Sequence, residues 1–257
     1  MAPTDAKMHT VDVGTITRIA RPEATRLAEA ELLRCVDALE ALEPEDWAKP
    51  TANHLWDVRA MAGHMLGMAE TFTSFRTLAR DMKAAGKLKN DGPHVDGLTA
   101  QQVKLTAGLT NRELIDRLRA AASNNPKWRA KRRFMRVAPM KQEVPGNDGP
   151  ETWKMGYAFD IILTRDPWMH RTDLAAATDK PMAPTSEHDG RIVADAIAEW
   201  ASRHGKPFEL ELTGPAGGMF VHGSRGERIV MDAIEFCRTL SGRPPAPEGL
   251  LAVQVPF

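Results

Sequence analysis

An acid and an imidazole stand four residues apart in the segment Trp153–Ala177, at Asp166 and His170. Four residues make about one helical turn, so both side chains lie on one helix face and are able to hold one cation. On that helix they continue an apolar line set by Met155, Phe159 and Ile162. Because burying an unpaired carboxylate is costly, the sequence predicts that hydrogen bonds or a metal ion compensate Asp166.

A second imidazole, His64, comes from another amphipathic segment, residues 54–80. It lies about 60° from the core line of that predicted helix, at the edge of the buried arc, so it is able to reach the interior. Two imidazoles and one carboxylate form an open zinc-type site with a position left for water or a substrate atom. The alternative is a structural histidine in a hydrogen-bonded network.

Asp173 lies on the same helix line, and its role stays open between two readings. It either accepts a hydrogen bond from a ligand imidazole or forms a surface salt bridge to Arg171 or Arg165.

Apolar seams at helical spacing predict an up-and-down four-helix bundle as the first domain, residues 1–179. The helices are expected at residues 22–41, 54–80, 110–122 and 153–177. Thr110 with Glu113, and Thr99 with Gln102, show the spacing of capped helix starts, and the second pair is assigned to a connection. Residues 1–21 are expected to be irregular and residues 83–97 to form an exposed loop.

The composition changes after Asp179, where PMAPTSEHDG predicts a linker to a second domain, residues 180–257. A helix is expected at residues 191–203, then a hairpin formed by PFELELTG and MFVHG, a helix at residues 228–240, and a last strand, LLAVQV. The predicted fold class is therefore mainly α, a four-helix bundle followed by a small α+β domain.

Charge and cysteine content exclude several function classes. Lys plus Arg equal Asp plus Glu at 34 each, so no global field draws the protein to nucleic acid or to an anionic membrane. No apolar run reaches the ~20 residues of a membrane span, and no secretion signal is present, so we expect a soluble cytoplasmic protein, a monomer or homodimer. The two cysteines, Cys35 and Cys237, suit a reducing compartment as packed thiols.

One local exception to the charge balance is the stretch of residues 127–141, which holds seven basic residues and no acidic one. It is either a solvated loop or a basic rim for an anionic ligand.

Three stretches of the sequence carry a resemblance to a known family. TANHLWDVRAMAGHML and RDPWMHRTDLA resemble the His-containing and acid-x-x-x-His segments of the mycothiol-dependent maleylpyruvate isomerase family, a DinB-like metalloenzyme bundle. SRGERIVMDAIEFCRTLSGRPP resembles the helix ending in Gly-Arg of that family's C-terminal domain, which is similar to sterol carrier proteins.

The resemblance implies that His64, Asp166 and His170 bind a divalent metal, most simply zinc, and that mycothiol is the thiol cofactor. It also implies that Arg243 is a catalytic residue contributed by the second domain. One position departs from the family, because the acid is Glu in the isomerase and Asp166 here. The shorter side chain brings the metal closer to the helix or holds it through one oxygen only.

The leading hypothesis is thus a metal-dependent enzyme that uses mycothiol for isomerisation or S-transfer on a small electrophilic substrate. One alternative is a non-catalytic small-molecule-binding protein on the same scaffold. Another is a metal-dependent hydrolase that uses bound water in place of the thiol.

Overall fold

The computed structural model describes residues 10–89, 92–144, 149–243 and 248–257, which form two compact units. Residues 20–144 and 149–182, with Phe257, make the first unit, and residues 10–19 and 183–256 make the second, within the described ranges. The predicted class, mainly α with a small α+β part, is confirmed. No helix in the described ranges combines the length and the apolar character needed to cross a membrane.

The described elements follow one another along the chain, with several short helical turns between them. They are β1 (Thr10–Asp12), α1 (Arg21–Glu40), α2 (Val58–Thr71), α3 (Phe75–Leu88), α4 (His94–Thr106), α5 (Asn111–Ala130), β2 (Pro139–Gln142), β3 (Glu151–Lys154), α6 (Met155–Tyr157), α7 (Leu163–Thr178), α8 (Arg191–His204), β4 (Phe208–Thr213), β5 (Gly218–His222), β6 (Glu227–Asp232) and α9 (Ala233–Leu240).

Four helices, α1, α2, α5 and α7, form the predicted bundle around one apolar core. The core side chains include Leu32, Cys35 and Met65, which lie on apolar seams of the sequence, together with Leu118 and Leu174. Burying a Leu or Met side chain contributes roughly 1.5–3 kcal/mol, so these seams hold the frame that carries the cluster.

The second predicted helix, residues 54–80, is wrong as a single element. α2 ends at Thr71, and Ser74 starts α3 by accepting a hydrogen bond from the N–H of Thr77. The loop expected at residues 83–97 is also wrong, because α3 runs to Leu88 and α4 begins at His94. The chain therefore gains a helical hairpin, and α4 packs against α2.

Two other helix boundaries differ from the prediction. The capping box of Thr110 and Glu113 is confirmed, but α5 continues past Pro126 to Ala130. Buried Asn125 donates to the Ala69 carbonyl on α2, and this tertiary contact outweighs the one hydrogen bond that Pro126 loses. The fourth helix begins at Met155 and contains a π-helical stretch, Ala158–Ile162, before α7, while Trp153 lies in β3.

The second unit is a sheet of order β1-β5-β4-β6 with helices α8 and α9. The predicted hairpin is confirmed, since β4 pairs antiparallel with β5. Thr10–Asp12 was expected to be irregular and instead pairs parallel with β5, while residues 1–9 of that lead-in lie outside the described residues. The boundary after residue 179 stays a prediction.

Two sequence-based assignments in this unit are wrong. ERIVMD forms β6, parallel to β4, and the helix begins only at Ala233, where Asp232 accepts from the N–H groups of Ile234 and Glu235. Ile229 keeps helical spacing with Ala233, so periodicity alone could not separate the strand from the helix. The expected last strand contains a short 3₁₀ helix, Gly249–Ala252.

Candidate metal centre

His64 lies buried on α2, and neighbouring side chains contact one edge and one face of its imidazole ring. Its Nδ1 is 2.8 Å from Oε1 of buried Gln102 on α4. Trp56 stacks on the imidazole, with ring centroids 4.8 Å apart and planes inclined by 30°. The ring is therefore held from one edge and one face, and Nε2 points toward Asp166.

Asp166 and His170 project from α7, one turn apart, as the spacing predicted. Oδ1 of Asp166 lies 3.4 Å from Nε2 of His170 and 3.8 Å from Nε2 of His64. One ligand-type atom from each of the three residues falls within 4.8 Å of the others. The structure thus brings the three predicted residues together, while their role as metal ligands stays a prediction.

In this His64–Asp166–His170 cluster, the 3.8 Å separation between Asp166 and His64 exceeds hydrogen-bond length, and the 3.4 Å separation between Asp166 and His170 is that of a long hydrogen bond. Ligand atoms placed about 2.1 Å from one tetrahedral ion lie roughly 3.4 Å from one another. The donor set and the 3.4 and 3.8 Å separations are therefore compatible with a divalent cation.

Burial and charge act in opposite directions on the pKa values of this cluster. Burial alone would raise the pKa of Asp166, but His170 and then His64 outweigh it and hold the pKa below its ordinary value. Burial alone would lower the pKa of His170, whereas Asp166 and then Asp173 raise it to about 9. Asp166 is accordingly a carboxylate at neutral pH, which is the form that a metal ligand requires.

Asp173 is buried and does not lie on the surface, while its pairing with Arg171 or Arg165 stays a prediction. Its Oδ2 lies 3.7 Å from Nδ1 of His170, and that nitrogen has no hydrogen-bond partner among the described residues. Arg171, one of the two partners considered for it, makes a bidentate pair with buried Glu31, at 2.6 and 2.9 Å.

Cys35 packs next to this region but is not a nucleophile. It is fully buried, and its Sγ lies 3.4 Å from the Pro167 carbonyl and 3.6 Å from Glu31 Oε1. Burial first, and Glu31 second, raise the pKa of the thiol well above its ordinary value. The bundle therefore offers no thiolate of its own at this position.

Three of the basic residues in the 127–141 stretch contact other parts of the bundle, which a fully solvated loop would not do. Buried Arg129 donates to the Phe159 carbonyl, and Arg136 pairs with Asp160, so both brace the π-helical stretch before α7. Lys127 pairs with Glu29 on α1. The role of this stretch as a rim for an anionic ligand stays a prediction.

Arg243 lies in the second unit, directly after the turn that ends α9. Its backbone N–H donates to the Arg238 carbonyl, and its Nη1 donates to Ser241 Oγ at 2.8 Å. Its assignment as a catalytic residue stays a prediction.

Sequence reasoning missed two residues beside the cluster, Gln102 and Trp56. The expected capping pair of Thr99 and Gln102 is wrong, because both lie inside α4. No spacing links Gln102 to His64, which is 38 positions away. Trp56 belongs to the quoted family motif, and that motif was its only signal.

The bundle directs two imidazoles and one carboxylate inward, which makes a possible metal site between its helices. Residues 26–175, more than half of the chain, match the model of the mycothiol maleylpyruvate isomerase N-terminal domain. The chain belongs to that family, which confirms the resemblance and the expectation of an enzyme.

Two solved structures have the same fold. The crystal structure of the mycothiol-dependent maleylpyruvate isomerase aligns with a TM-score of 0.55 and 14% identity, over 89% of this chain and 92% of that one. A histidine-to-alanine mutant of the isomerase aligns with a TM-score of 0.50, 13% identity and the same coverage. No curated protein matches the chain.

Proposed function

We propose that this protein is a metal-dependent enzyme that uses mycothiol for isomerisation or S-transfer on a small electrophilic substrate, with zinc as the metal. The observation that carries the proposal is the spacing of His64, Asp166 and His170, at 3.4 and 3.8 Å across the carboxylate. Family membership supports the mycothiol-dependent class. The cytoplasmic location and the monomeric or homodimeric state stay predictions.

The chain's own residues define what the site does. His64, Asp166 and His170 would hold the ion, and Trp56 fixes the plane of His64. A bound divalent ion with an open position lowers the pKa of a thiol or water ligand and keeps it anionic. Asp166 shares a small cavity with apolar Leu32, Met65 and Met68, and apolar neighbours lower the local dielectric and strengthen electrostatic contacts.

Protonated Cys35 supports an external thiol, because the bundle places no thiolate of its own beside the cluster. Isomerisation and S-transfer differ in whether that thiol leaves with the product. A search for an S-conjugate by mass spectrometry distinguishes the two.

The proposal is tested by metal content and thiol binding together. Protein purified without chelator should contain about one divalent ion per chain, and Asp166→Asn and His64→Ala should lose it. His54→Ala is the matched control, since His54 is exposed on the loop before α2. Calorimetric titration of the zinc form with mycothiol should show binding that the two cluster variants lack.

Metal-free wild-type protein that cannot be loaded with zinc would refute the metal assignment. Zinc binding without mycothiol binding would favour the hydrolase alternative. The non-catalytic alternative requires a hydrogen-bonded cluster, and it predicts that His64→Ala loses stability without losing any thiol binding.

Arg243 is retained as a proposed catalytic residue from the second unit. Arg243→Lys should lower turnover while zinc content and mycothiol affinity stay at the wild-type level. Equal turnover in this variant would remove Arg243 from the catalytic residues.

A further inference from the structure

A buried chain of hydrogen bonds runs from an ion pair on α3 to the His64 imidazole. Asp81 is buried and receives a bidentate pair from Arg80, at 2.7 and 3.1 Å. Thr71 Oγ1 lies 2.9 Å from Asp81 Oδ2, and Gln102 Nε2 lies 3.4 Å from Thr71 Oγ1. Gln102 Oε1 then lies 2.8 Å from His64 Nδ1.

The hydrogen bonds that link Asp81, Thr71, Gln102 and His64 have only one consistent assignment of donors and acceptors. The Asp81 carboxylate accepts only, and Thr71 Oγ1 also faces the Gly67 carbonyl at 2.8 Å, so its single hydrogen is directed to an acceptor. The hydroxyl oxygen must therefore accept from Gln102, whose amide nitrogen also faces the acceptor sulfur of Met68. The amide oxygen is left for His64, and only a protonated Nδ1 donates to it.

We infer that Gln102, oriented by Thr71 and Asp81, is a positioning residue that fixes His64 in the tautomer protonated at Nδ1. The lone pair of Nε2 is then directed toward Asp166. The 2.8 Å contact at Nδ1 decides the tautomer, because Nε2 is 3.8 Å from the Asp166 carboxylate, beyond hydrogen-bond length. In a ring held in this way, Nε2 already has its lone pair directed to bind a metal, and the ring does not need to rearrange.

Two glycines on α2 make this contact sterically available. A Cβ on Gly67 would lie 2.4 Å from Gln102 Cβ and 2.9 Å from its Cα, and a Cβ on Gly63 would lie 2.4 Å from Thr106 Oγ1. Bare backbone at both positions lets α4 approach α2 closely enough for Gln102 to reach His64.

The first test reads the tautomer directly and does not depend on metal. Long-range ¹H–¹⁵N correlation spectra of metal-free protein, recorded where imidazoles are neutral and assigned with His64→Ala, should show His64 protonated at Nδ1. Gln102→Met, which keeps the volume and removes the acceptor, should shift His64 toward the Nε2-protonated form. Gln102→Glu keeps an acceptor and should restore the Nδ1 form, which a purely structural role would not predict.

The second test measures zinc affinity by competition with a chromophoric chelator and rests on the proposed function. Gln102→Met should weaken zinc binding by roughly 10–100-fold, as loss of a partner behind a ligand histidine does. Gln101→Met is the matched control, since Gln101 neighbours Gln102 on α4 and makes none of these contacts. If Gln102→Met does not fold, Thr71→Val leaves Gln102 in place and should yield mixed tautomers.

The two tests separate the two ideas. An Nε2-protonated His64 in the wild type, or one unchanged by Gln102→Met and Thr71→Val, overturns the inference even if zinc binds. Absence of zinc binding in the wild type refutes the proposed function, and the tautomer spectra still decide the inference.

Discussion

Gly67→Ala is the substitution whose cost follows most directly from the packing of α4 on α2. The added methyl would lie 2.4, 2.6 and 2.9 Å from Cβ, Cγ and Cα of Gln102. Carbon atoms in contact are about 3.5–4.0 Å apart, so the overlaps range from roughly 0.6 to 1.6 Å. The Cα belongs to the backbone, so a change of the Gln102 rotamer does not relieve it.

The magnitude is the difference between two effects. Overpacking of this kind costs about 1–3 kcal/mol, whereas replacing a helical glycine by alanine gains about 0.8–1.0 kcal/mol. We therefore expect Gly67→Ala to lower the free energy of unfolding of the bundle by up to about 2 kcal/mol. Displacement of α4 should also lengthen the contact between Gln102 and His64 and weaken zinc binding.

Gly86→Ala is the matched control on α3. Among the described residues, a Cβ at this position would meet only His94 Nε2, at 4.0 Å, so we expect the gain in helix propensity without steric overlap. Urea unfolding followed by circular dichroism should show Gly86→Ala at or above wild-type stability and Gly67→Ala below it. Equal gains from both substitutions would refute the close approach of α4 to Gly67.

Three further outcomes follow from other buried contacts. Arg171→Leu should destabilise the bundle by about 3–5 kcal/mol in urea unfolding, because Glu31 is left charged and buried; a loss below about 1 kcal/mol would contradict the pair. The contact with Lys49 lowers the pKa of Asp46 below its ordinary 3.8. Because the carboxylate form stabilises the fold, Asp46→Asn should be less stable than wild type above about pH 4. That difference in stability should vanish as the pH falls through the lowered pKa. A difference that persists in acid would have another origin. Cys35 should react with a thiol reagent only as the bundle unfolds, so reaction of the native protein at the rate of a free thiol would show that it is accessible.

The sequence pattern was sufficient to predict features that depend on contacts between residues close together in the chain. The apolar seams predicted the bundle core, and the spacing of Asp166 and His170 placed both on one helix face because helix geometry is fixed by the backbone. The capping box of Thr110 and Glu113 also involves neighbours in the chain, and it formed as predicted.

The wrong assignments share a cause, which is contact with distant residues. Thr10–Asp12 is a strand because β5, some 200 residues later, offers its edge, and Glu227–Asp232 is a strand because β4 pairs with it, despite an apolar spacing that suits a helix. α5 passes Pro126 because its neighbour Asn125 bonds to α2.

The sequence by itself determined the bundle, the two-part organisation and the three residues of the cluster, because helical periodicity expresses which side chains face inward. Only the tertiary structure decided which side chains contact the ring nitrogens of His64 and His170 that face away from Asp166. Gln102 reaches His64 because α2 carries no side chain at Gly67, and Asp173 is buried against His170. Those contacts depend on how closely two helices approach, a distance that no spacing along one helix encodes.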